Sequence, residues 1–142
     1  MLYYCISTIV QYIKGGDFVA WSFDGKSPVS LQIASIIRID IVSGKYKAGE
    51  QIPTVRQLAC DASVNPNTMQ KALSILESEG LLVTKSTNGR FVTEDASAVE
   101  NALANMQKEY LKKVVARSRS LNISKEAFIE FIENYYERND DI

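Results

Sequence analysis

Residues able to carry out covalent chemistry are scarce in this 142-residue chain, because histidine is absent altogether. That removes Ser-His-Asp and Cys-His relays, histidine-ligated zinc and the usual neutral-pH general base. Cys5 and Cys60 have no metal-type spacing, so reduced thiols in a cytoplasmic protein are expected, with Cys60 assigned to packing. There is no glycine-rich phosphate loop and no patterned cluster of carboxylates. Neither an enzyme nor a bound cofactor or metal is expected. What remains is hydrogen-bonding chemistry, gathered at Arg56, in the run Asn67-Thr68-Met69-Gln70-Lys71, and at Lys85, Gly89 and Arg90. Amide side chains present donor and acceptor together, a guanidinium offers paired donors, a hydroxyl does both and an ammonium is a mobile point charge. Such groups bind rather than catalyse.

The elements that hold them are legible from pattern. Three regions differ in kind: a leader over 1–27, a compact block over 28–95 and a helical tail over 96–142. Hydrophobic residues at 46% and charged residues at 23% are the balance of a globular protein with a real core. In the block, Ile33, Ile36, Ile37 and Ile41 recur at helical spacing after Pro28, and Gly44 can stop the helix. Thr54 and Gln57 fit a capping box that starts a second helix ending near Asp61. Asn65 as N-cap and Pro66 at the first helical position start a third, which Gly80 ends. Within it Met69, Ala72, Leu73 and Leu76 form a buried stripe, leaving Asn67, Lys71, Ser74 and Ser78 on the opposite face. Leu81 to Thr84 and Phe91 to Thr93 flank Asn88-Gly89, a hairpin turn. Three helices and a hairpin make a mainly α fold with a small β wing, a winged helix-turn-helix.

The tail reads as two helices. Val99, Leu103, Met106 and Tyr110 make a narrow seam, Leu121 to Ser124 interrupts it, and Ser124 caps a second helix. Phe128, Phe131, Ile132 and Tyr135 form its stripe, widened by Ile129 and Tyr136, more apolar surface than one neighbouring helix covers. A second copy of the chain is the simplest cover, so a homodimer joined by a two-helix hairpin is expected.

The runs Ile52-Pro53-Thr54-Val55-Arg56-Gln57-Leu58-Ala59, Val64 to Ala72 and Leu76-Glu77-Ser78-Glu79-Gly80-Leu81 resemble the GntR family of bacterial regulators. Gly89-Arg90-Phe91-Val92 looks like the family's wing and Pro28 to Ile33 like its entry into the first helix, so the likeness covers 28–95. The short tail points to the YtrA-like subgroup. That resemblance implies double-stranded operator DNA as partner, a dimer on a palindromic site, repression, and operons encoding ABC transporters as a frequent target; it leaves any effector unknown. It also places Arg56 at the backbone and neighbouring bases, and Asn67, Thr68, Gln70 and Lys71 on the DNA-facing start of the recognition helix. There the helix dipole and free N–H groups favour phosphate. On the wing, Gly89 permits close approach, with Lys85 and Arg90 available to phosphate or minor groove. Lys71 stands where many relatives have Arg, Ser30 where Tyr is frequent, and Thr87 where a second wing glycine is common.

Charge alone does not point to DNA. The net charge is -1, and 28–95 carries seven Lys/Arg against seven Asp/Glu. Binding must then rest on local arrangement and on doubling by dimerisation. The rival reading is a winged helix used for protein–protein contact, with the tail as its docking surface.

The leader carries its own expectation. Lys14-Gly15-Gly16-Asp17 is the in-frame translation of AAAGGAGGTGA, a ribosome-binding sequence, with Val19 at the place of a GTG start, so residues before Val19 are expected to lie outside the natural protein. The alternative is a genuine extra helix, since Leu2, Ile6, Ile9, Val10 and Ile13 recur at roughly helical spacing. Met1 to Ile13 falls short of the roughly 20 residues a membrane span needs. No membrane partner is expected.

Overall fold

The computed structural model describes residues 21–86 and 89–138. Both readings of the leader's first residues, and Cys5 with them, lie outside the described residues. The chain divides into two compact units, one up to Ala96 and one from Ser97.

The first unit holds α1 (Val29–Val42), α2 (Val55–Asp61), α3 (Pro66–Ser78), β1 (Leu82–Thr84) and β2 (Arg90–Val92). Pro28 gives α1 no side-chain cap. Instead Gln32 reaches back: its amide donates to the carbonyls of Asp24 (2.9 Å) and Ser27 (2.8 Å) and accepts from the Asp24 N–H at 2.9 Å. Residues 24–27, counted with the leader on pattern, are thereby tied to α1. Ile33, Ala34, Ile37 and Ile41 are buried, and Ile36 only half-buried.

The capping box forms at α2, where the Thr54 hydroxyl accepts from Gln57 N–H and the Gln57 side chain accepts from Thr54 N–H. Leu58, Ala59 and Ala62 fill the narrow inner face of this helix. Cys60, expected in the packing, is exposed. Each residue turns a helix by about 100°, so the position after Ala59 has already rotated off that face. The chain leaves α2 through Ser63 at φ 53, and Val64 N–H donates to the Ala59 carbonyl at 2.9 Å.

Asn65 and Pro66 open α3 as the sequence predicts, with the Asn65 side chain accepting from Asn67 N–H at 2.8 Å. Met69, Ala72, Leu73 and Leu76 have no exposure at all. Burying side chains of that size completely contributes about 1.5–3 kcal/mol for each large one, which makes α3 the element that α1, α2 and β1 pack around. Its end is a Schellman turn: Gly80 sits at φ +75 and Leu81 N–H donates to the Leu76 carbonyl at 3.0 Å.

The wing pairs antiparallel, Leu82 with Val92, Val83 with Phe91 and Thr84 with Arg90. The far edge of β2 is also occupied. Gly49 N–H donates to Val92 O (3.0 Å), Val92 N–H to Glu50 O (2.8 Å) and Ile52 N–H to Arg90 O (3.0 Å), with Gln51 bridged to Phe91. Residues 49–52 therefore serve as a third, short rung beside β2.

The second unit holds α4 (Ala96–Ser120) and α5 (Lys125–Arg138). Ser124 caps α5, its hydroxyl accepting from Ala127 N–H at 3.1 Å. The two helices do not run together at close backbone spacing, and no described residue of α5 is buried. Among the described residues no helix is long and apolar enough to cross a membrane.

Candidate nucleic-acid interface

The exposed face of α3 carries Asn67, Lys71, Ser74 and Ser78, with Gln70 beside them and Thr68 half-buried. Its buried stripe faces away from these residues, so α3 presents one polar side. The N–H groups of the first turn are not free, however. Asn67 N–H is bound by the Asn65 side chain, and Thr68 and Met69 N–H groups point to the Asn65 carbonyl at 2.9 and 3.1 Å. The backbone N–H groups at this end are thus engaged within the chain, and the side chains are what it presents outward.

Arg56 is exposed in the first turn of α2 and lines an open cleft with Gln51 to Val55, Gly89 and Arg90. Gly89 is held there by necessity. Its φ is +97, and a Cβ on it would meet Gln51 Nε2 at 2.9 Å. The close approach that Gly89 permits is therefore, within the chain, one to Gln51.

The wing's two cations have different settings. Arg90 lies beside Leu82, Thr84 and Val92 on the inner side of the hairpin, where its Nε donates to Glu77 Oε1 of α3 at 3.1 Å. The Thr84 hydroxyl, directly across the ladder, donates to the same oxygen. Lys85 is exposed, with its ammonium 5.0 Å from the centroid of the Phe91 ring.

Ion pairing removes as many cations as carboxylates, so the cations that remain are distinguished by where they stand rather than by an excess. Arg38 forms a two-pronged pair with Glu79 (2.8 and 2.6 Å), Lys45 pairs with Asp40 at 3.0 Å and Arg90 with Glu77. Burial first, then the carboxylates of Asp40, Glu50 and Asp61, pushes the Tyr46 phenol above its ordinary value, which places part of the unit's negative charge around Tyr46. In the first unit Lys26, Lys47, Arg56, Lys71 and Lys85 make no ion pair among the described residues. Of these, Arg56, Lys71 and Lys85 are residues the sequence singled out.

In the tail, Val99, Met106 and Tyr110 are half-buried and Leu103 is exposed. On α5, Phe128 and Ile132 are half-buried, while Phe131, 65% exposed, and Tyr135 stack their rings in the open at 5.7 Å. A second apolar strip, Ala104, Leu111 and Val115, lines an open groove on α4 between Lys108 and Lys112. The seam read from the sequence omitted it, because Lys108 interrupts the apolar spacing. Glu77 and Gln51 were missed as well; neither lies in a local pattern that marks it. Only the Thr84–Arg90 register, once known, points back to Glu77.

A helix with one polar face, a preceding helix across a short turn and a hairpin at its side define a winged helix-turn-helix, the class that lays such a helix against nucleic acid. Residues 29–92 match the description "Bacterial regulatory proteins, gntR family". Over 115 residues the chain is 32% identical to the HTH-type transcriptional regulator YhcF of Bacillus subtilis, covering 81% of this chain and 95% of that one. It is also 32% identical over 108 residues to the HTH-type transcriptional repressor YtrA of the same organism, covering 75% and 82%. A solved GntR family transcriptional regulator from Listeria monocytogenes superposes with a TM-score of 0.73 at 32% identity, over 79% of this chain and 98% of that one. The chain belongs to the gntR family of bacterial regulatory proteins, and is a DNA-binding transcriptional regulator rather than an enzyme.

Proposed function

We propose that the protein is a cytoplasmic repressor that binds a palindromic operator as a homodimer, without a cofactor. The observation that carries this reading is the placement of three cations that make no ion pair, Arg56 in the first turn of α2, Lys71 on the polar face of α3 and Lys85 on the wing. Arg56 grips guanine or phosphate with two donors, Asn67 and Gln70 read adenine edges, Thr68 and Lys71 hold phosphate, and Lys85, Gly89 and Arg90 form the wing's share. Val99, Leu103, Met106, Tyr110, Phe128, Phe131, Ile132 and Tyr135 join two copies through the tail, supported by the uncovered apolar face of α5. Repression is supported by the printed name of YtrA. An ABC-transporter operon as target rests on the YtrA-like resemblance alone.

The test is a titration of duplex DNA from upstream of the protein's own gene at several salt concentrations. Six cations per dimer, each displacing a counterion, give a slope of log K against log salt of about -5. Tight binding to an inverted repeat with that slope is expected. Binding without salt dependence, or none, would replace this reading with a protein-docking module.

A further inference from the structure

Arg90 and Thr84 are partners across the wing, so their side chains leave the same side of the hairpin, and both donate to one carboxylate oxygen of Glu77. That carboxylate belongs to α3, whose polar face is the candidate reading surface, one turn beyond Leu73. The group is partly shielded: Glu77 is 27% and Arg90 17% exposed in their side chains. Arg90 also borders the cleft lined by Arg56 and Gly89. Beside the apolar packing of β1 on α3, one carboxylate thus ties wing and recognition helix together at a point next to the candidate interface.

We propose that Glu77 is a positioning residue for operator binding: through Arg90 and Thr84 it locks the wing in the one placement from which wing and recognition helix engage DNA together. This rests on the DNA-binding reading above and says how its parts are aligned. The sign of one substitution decides it. Glu77→Gln removes a negative charge from a surface that meets phosphates, and electrostatics alone then strengthens binding to every DNA. The same holds if Glu77 merely sequesters an Arg90 that would otherwise contact phosphate. A positioning role predicts the opposite for the operator, because the freed wing must be ordered again on binding.

The experiment measures the full-length protein and its Glu77→Gln variant on an operator duplex and on a scrambled duplex of equal length, with thermal melting alongside. Operator binding is expected to weaken about threefold per half-site, the order of a partly exposed ion pair, and about tenfold for a dimer. Binding to the scrambled duplex should stay equal or tighten. Arg90→Gln alone should cost the operator affinity a similar factor, and the double variant no more than the worse single one. Operator affinity unchanged or raised in Glu77→Gln overturns the proposal. So does an equal loss on both duplexes with a lowered melting temperature, which marks a purely structural role. Failure of the unaltered protein to bind any duplex strikes the DNA-binding reading instead, before Glu77 enters.

Discussion

Replacing Gly89 by alanine separates two costs that the wing geometry combines. At φ +97 an L side chain is strained, and a residue held in such a region loses on the order of 1–3 kcal/mol. Alanine also restricts the unfolded chain, which returns about 0.4–1 kcal/mol. The added Cβ meets Gln51 Nε2 at 2.9 Å, the far end of a side chain that can move away at modest cost. The net expectation is a loss of about 1–2 kcal/mol, and at about 4–8 °C per kcal/mol for a domain of this size the melting transition of the first unit should fall by roughly 5–15 °C. Gln51→Ala in the same chain removes the contact but not the strained φ. It should therefore restore less than half of the loss, which a double-variant cycle by calorimetry measures. Operator binding should weaken in both, since Gly89 borders the cleft with Arg56. Full restoration by Gln51→Ala would refute the strain argument, and wild-type stability in Gly89→Ala would refute both terms.

Arg56→Ala should lower operator affinity by roughly 1–3 kcal/mol per half-site with an unchanged melting temperature; wild-type affinity in a titration removes it from the contact set. Ser63→Gly should stabilise the protein by about 0.5–1 kcal/mol, seen in urea unfolding, because Ser63 occupies φ 53 in the turn between α2 and α3. Asn65→Ala should cost about 1 kcal/mol through the lost cap on Asn67 N–H, again by denaturant midpoint. Phe131→Glu, at a 65% exposed ring, should leave the first unit folded but shift sedimentation at micromolar concentration from dimer to monomer. An unchanged dimer would place the joint elsewhere.

The parts of this fold that announce themselves in sequence are those made by near neighbours. Thr54 with Gln57, Asn65 with Pro66 and the Met69 to Leu76 stripe each act within a turn or two of helix, so residue type and spacing are enough. The pairing of residues 49–52 with β2 is not of that kind. It joins stretches about 40 residues apart through backbone groups, which every side chain except proline allows equally. Glu77 is similar: Arg90 and Thr84 converge on it only because the hairpin register sets them opposite each other. Cys60 illustrates a different limit, since a seven-residue helix buries too narrow a face for hydrophobic character alone to assign each position. In the tail, apolar residues occupy two faces of α4, and periodicity registers the uninterrupted one.

That no described residue of α5 is buried has a consequence for how the regulator responds to its own abundance. A helix that covers its apolar face only on a second chain is ordered by mass action, so on the dimer reading the population able to grip both halves of an operator grows as the square of free chain concentration. Halving the amount of protein then removes about three quarters of the competent species while chains remain mostly unassembled. Synthesis, dilution by growth and proteolysis thereby become inputs to operator occupancy in their own right, with no small molecule required to make the transition steep.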